Sequence, residues 1–139
     1  MDSIDLSVVW SVSAILLGFQ AVSLTCRAWR VAREIDMVSK GDLAWLTAAD
    51  AVIAVSMLIL VFGVFVLPIV VSVELDTVVH LFGLSLTRLG GYPFVLAGHY
   101  DLYHRVERSN GRPRFTFQEG VVLAVWEVII LGYLLWWWL

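Results

Sequence analysis

Four runs of apolar residues divide the chain, each long enough to cross a bilayer. A crossing helix needs about 20 largely apolar residues to span a hydrocarbon core of ~30 Å. The first run extends from Leu6 to Cys26, the second from Leu43 to Ser72, and the fourth from Gln118 to Trp138. The third, from Thr77 to Gly98, is the most polar of the set. Two runs continue as amphipathic pattern. After Cys26, the apolar Ala28, Val31, Ala32 and Ile35 recur at helical spacing among Arg27, Arg30, Arg33 and Glu34. After Gly98, Leu102, Tyr103 and Val106 do the same among Asp101, His104, Arg105 and Arg108. The pattern predicts helices over 6–38, 43–72, 77–108 and 117–138, an all-α single domain built as a four-helix membrane bundle.

Capping chemistry marks the boundaries. Thr116-Phe117-Gln118-Glu119 has the form of a capping box, in which a hydroxyl and a carboxylate satisfy the first amides of a helix. Asp42 and Asp76 stand where N-caps of helices two and three are expected. Asn110-Gly111-Arg112-Pro113 is turn punctuation ahead of helix four. The short Val73-Glu74-Leu75 connection predicts an antiparallel hairpin of helices two and three. Pro93 after Gly90-Gly91-Tyr92 predicts a kink in helix three, and Pro68 a bend in helix two.

Composition agrees with lipid as solvent. Of 139 residues 60% are hydrophobic and 15% charged, with mean hydropathy +0.88, against ~45–50% and ~25% in soluble domains. The acidic Asp2 and Asp5 stand where a secretory signal carries Lys or Arg, so the first run reads as a retained helix. Net charge −3 gives no basic surface for nucleic acid. Lys and Arg near membrane ends mark the cytoplasmic side. The link between helices one and two holds Arg27, Arg30, Arg33 and Lys40; that between three and four holds Arg105, Arg108, Arg112 and Arg114. The other side holds none, which predicts both termini outside and helices one and three extended into the cytoplasm. The aromatic residues fit this frame: Trp10, Trp136, Trp137 and Trp138 at the outer interface, Trp29 and Trp45 at the inner one. The expected setting is multi-pass insertion in a prokaryotic cell membrane or one derived from it, in contact with lipid.

Ionisable groups at membrane depth each need a reason, because insertion costs roughly 2.5–3.5 kcal/mol. Arg88 lies 11 residues past Thr77, and Glu127 lies 11 past Thr116 from the opposite face. Each is therefore about 16 Å deep, close to the midplane. That common depth predicts an ion pair between helices three and four, either a register lock or part of a proton or ion path. Asp50, about two turns inside helix two, pairs with His99, caps a neighbouring helix or stays hydrated; a satisfied interface residue is the expectation and an ion or proton site the alternative. Gly83, Gly90 and Ala97 recur at heptad spacing, with Gly91 and Gly98 on the adjoining stripe, a small-residue face for close helix packing.

Several classes are excluded. The single Cys26 leaves no disulfide or thiol–metal cluster within the chain. No nucleophile–base pair, phosphate loop or metal-ligand cluster appears, so no enzyme activity and no cofactor are expected. His80 and His99, the candidate haem ligands, lie 19 residues apart, about 28 Å along a helix, too far to hold one haem. The sequence predicts a structural or accessory subunit contacting other membrane subunits or its own copies. The alternatives are a homo-oligomeric channel, holin or proton-coupled carrier, and a haem-binding subunit.

Overall fold

The computed structural model describes residues 5–33, 47–100 and 116–139, with residues 30–33 as backbone alone. Among these every element is helical and none is a strand. Three helices are long and apolar enough to cross a membrane: Leu6–Trp29, Ala48–Val70 and Phe117–Trp138.

Helix one runs from Leu6 to Arg33. It starts on Asp5, whose carboxylate accepts from the Ser7 amide at 3.1 Å while its carbonyl takes the Val8 and Val9 amides.

Helix two begins at Ala48, later than the sequence pattern places it. Its cap is Thr47 rather than Asp42, because Thr47 and Asp50 form a complete capping box. Beyond Leu58 the helix widens into π geometry over Ile59–Val66, then returns to α over Leu67–Val70. Pro68 explains part of this change. It carries no amide to donate to the Val64 carbonyl one turn back, and the Trp10 indole donates there instead, at 3.0 Å.

Helix three starts at Leu75 with Glu74, not Asp76, in the N-cap position. Asp76 sits in the first turn, where its charge meets the positive end of the helix dipole. The helix breaks at Gly91 into Leu75–Gly90 and Tyr92–His99, because Pro93 removes the donor for Leu89. It ends at His99, where the continuous 77–108 pattern predicted no stop. The Gly98 carbonyl there accepts from the Thr116 hydroxyl at 2.7 Å, and the His99 ring turns to Glu119.

Helix four, Phe117–Trp138, opens on the Thr116–Glu119 capping box. Asp42, Trp45, the Asn110–Pro113 turn, and the predicted extensions over 34–38 and 101–108 lie outside the described residues.

Helix three is the centre of the arrangement. Its first half packs on the π segment and helix one through Val9, Leu60, Val64 and Val78. Its second half packs on the start of helix two through Ala49, Val52 and Val95, and against helix four. Helices one and four form the flanks, with long apolar faces turned outward.

Candidate functional site

The polar side chains that link these helices fall into four groups along helix three, with a further cluster at its His80 end. At the end where helices two and four begin, Arg27 of helix one reaches Asp50. Its Nε and Nη2 donate to the two carboxylate oxygens at 2.9 Å each, the bidentate geometry that favours guanidinium over ammonium. The Asp50 side chain is only 4% exposed and that of Arg27 18%. Asp50 also accepts from the Thr47 amide and hydroxyl, so one carboxylate caps helix two and holds helix one to it. Arg27 Nη1 donates to the Tyr100 hydroxyl at 3.3 Å, adding the end of helix three.

Beside it lies a second joint. Glu119 is fully buried. One of its oxygens accepts from the Ala48 amide at 3.0 Å, and the other lies 3.1 Å from His99 Nδ1 and 3.4 Å from the Thr116 amide. The carboxylate thus sits at the positive ends of helices two and four, and the imidazole at the negative end of helix three, an arrangement that helix dipoles favour. Close approach is possible because of Gly98. A Cβ there would stand 2.9 Å from Glu119 backbone atoms.

The third group crosses the middle of helices one, two and three. Gln20 Nε2 donates to Ser56 Oγ at 2.7 Å. Ser56 Oγ lies 2.9 Å from the Ser85 carbonyl, and Ser85 Oγ donates to the Ser56 carbonyl at 3.0 Å. All three side chains are fully buried. Gln20 Oε1 and, two turns earlier on helix one, the buried Ser13 Oγ have no hydrogen-bond partner among the described residues.

The fourth group joins helices three and four. Arg88 Nη1 donates to Glu127 Oε1 in an ion pair. Trp126 locks the register beside it by donating to the Thr87 carbonyl at 2.7 Å and stacking on Phe94. Toward the far end, His80 Nδ1 bonds the Asp76 carbonyl at 2.8 Å, and its ring stacks on Trp137 with centroids 5.1 Å apart. Tyr133 completes this end by donating to the His80 carbonyl.

The structure therefore brings Arg88 and Glu127 together but does not join Asp50 to His99. Asp50 takes Arg27, and His99 takes Glu119. The glycine face is occupied inside the chain: Gly83 lies under the Tyr133 hydroxyl, and Gly90 and Gly91 under Trp126. Ala97 is half-buried on the same helix. Trp29, Trp136 and Trp138 are exposed; Trp136 also lies against His80 and Tyr133, and Trp10 and Trp137 make the contacts described above. His80 and His99 occupy opposite ends of helix three, each beside a carboxylate. No group of three or more metal-ligating side chains occurs among the described residues.

Two functional residues escaped the sequence reasoning. Arg27 reads as one more cytoplasmic basic residue, although Ser13, Gln20 and Arg27 at seven-residue intervals trace one inward face of helix one. Glu119 reads as a local cap, and nothing in the motif signals its reach to helices two and three.

The Arg88–Glu127 pair gives a testable coupling. Arg88→Leu is expected to destabilise the protein by about 3 kcal/mol, the lower end of the ~3–5 kcal/mol for breaking a buried pair, because Glu127 is left without its cation. Adding Glu127→Leu should recover part of that loss in an unfolding titration. Equal losses in the single and double variants would show that the pair contributes no coupling.

Comparison with protein-family models, with curated proteins and with solved structures finds no match.

Proposed function

We propose that this chain is a small structural or accessory subunit of a larger membrane assembly, crossing the bilayer four times with both termini outside. The observation that carries this reading is the pairing of carboxylates within the helices. Asp50, Glu119 and Glu127 each meet a cation, an imidazole or backbone amides of a neighbouring helix. Their chemistry is engaged in joining helices rather than held open toward a substrate. The outward apolar faces of helices one and four supply surface for lipid and partners.

Four crossings are supported by charge and by length. Eight of the nine Lys and Arg residues fall in two links, or in the helix end beside one of them, that four crossings place on one face. The two segments of helix three together cover 75–99, about 37 Å at helical rise. The break at Gly91 is tolerable at membrane depth because it is covered by Trp126. A prokaryotic cell membrane, or one derived from it, is the setting in which this charge asymmetry is read.

Purification of the full chain from its native membrane in mild detergent tests the subunit reading. A second membrane protein in fixed stoichiometry is expected. Recovery of this chain without any other polypeptide, across several detergents, would contradict it.

A carrier or channel is the second reading. The buried, unpartnered Ser13 Oγ, Gln20 Oε1 and Arg88 Nε favour it, because such atoms are where water enters a bundle. Against it, the groups are separated by apolar layers containing Val52, Ile53 and Leu60, all fully buried.

A further inference from the structure

Helix one meets helix two through polar atoms that are only partly satisfied. The hydroxyls of Ser11, Ser23 and Thr25 each turn back to the carbonyl four residues earlier, at 2.8, 2.9 and 2.8 Å. Ser13 does not. Its side chain is fully buried, and its Oγ has no hydrogen-bond partner among the described residues. A buried hydroxyl left unpaired is costly, so something must meet it. The contacts on either side show what lies opposite. Trp10 bonds the Val64 carbonyl and Gln20 bonds Ser56, so helices one and two run antiparallel over this interval. Ser13, three residues from Trp10 and seven from Gln20, falls level with the π segment Ile59–Val66. That segment has an unserved acceptor of its own. In π geometry each amide donates five residues back, and Leu67 accordingly donates to Phe62. Pro68 has no amide for the next carbonyl, Gly63, which is left without a donor from its own helix.

We infer that one water molecule is bound between helix one and the π segment of helix two, bridging Ser13 Oγ and the Gly63 carbonyl. The chemistry of the two groups selects the ligand. Ser13 offers a donor and an acceptor, the carbonyl an acceptor alone, and neither carries charge to balance an ion. A ligand meeting both must donate and accept, be neutral, and fit a closed interior; buried waters do this, each with about two to four hydrogen bonds. Helix ladders bend where a side chain or water inserts into them. Here the Trp10 indole serves the Val64 carbonyl, and water serves its neighbour. Val9, Leu60 and Val64, all buried, close the site. The water is therefore an isolated joint between two helices rather than a link in a path.

The test is oxygen-17 relaxation dispersion of the solvent around the full chain in detergent micelles. It counts water molecules held for longer than the particle takes to rotate, and exchanging hydroxyl protons cannot mimic them. Ser13→Ala should lower the count by one, whereas Ser11→Ala, whose hydroxyl has its own carbonyl, should leave it unchanged. Pro68→Ala returns an amide to the ladder and should also lower the count by one. The double variant Ser13→Ala/Pro68→Ala should again lose one, because both changes remove the same molecule. A count indifferent to Ser13→Ala, or a loss of several waters with that single change, would overturn the inference. So would losses that add to two in the double variant. Should Pro68→Ala fail to fold, the contrast between Ser13→Ala and Ser11→Ala decides by itself.

Discussion

Glu119→Leu is expected to be among the most damaging single substitutions, costing about 3–5 kcal/mol. Three losses add. The Ala48 and Thr116 amides lose their acceptor, at about 1 kcal/mol each for a helix cap. The buried His99 loses the carboxylate that its Nδ1 faces, at about 1–3 kcal/mol. Two helix starts and one helix end depend on this one carboxylate. Glu119→Gln should cost about half as much, since its carbonyl still accepts one amide while its NH2 faces another donor. Equilibrium unfolding in micelles, followed by tryptophan fluorescence, reads both. A loss under about 1 kcal/mol for the Leu variant, less than one neutral cap and one orphaned donor together, would refute this role.

The second large effect is expected at Arg27 and Asp50. Asp50→Leu strands a guanidinium and removes the carboxylate half of the helix-two capping box, so about 4 kcal/mol is expected, within the range for breaking a buried ion pair. Arg27→Leu should cost less, about 2–3 kcal/mol. The Thr47 amide and hydroxyl still neutralise part of the remaining carboxylate. The double variant should lose less than the two single losses combined, with a coupling of at least ~1.5 kcal/mol. That exceeds the ~0.6 kcal/mol average of an interhelical hydrogen bond in a membrane, and so distinguishes a charge pair from ordinary polar contact. Strict additivity would mean that the bidentate contact contributes nothing.

Features governed by local chemistry were readable in the chain. The Thr116–Glu119 box and the break before Pro93 follow from backbone donors and acceptors within one turn. Depth could also be read, because helical rise places Arg88 and Glu127 at one level from opposite ends. Rotation about the helix axes could not. Whether Asp50 faces His99 or Arg27 depends on how helices one and three are turned around helix two, and Asp50 has both within a side chain's reach in sequence pattern. The glycine stripe of helix three was legible as a packing face, but its partner was not: Tyr133 and Trp126 of the same chain fill it. The π segment was illegible for a similar reason. Its Val64 carbonyl is satisfied by Trp10, 54 residues away.

These contacts describe polar groups that act as joints between helices. Proton flux into vesicles holding the purified chain, driven by an imposed pH gradient and membrane potential, asks whether they also form a path. Flux no greater than in protein-free vesicles, for both wild type and Glu127→Gln, is predicted. Wild-type flux well above that background, abolished by Glu127→Gln in a protein that still folds, would contradict the account.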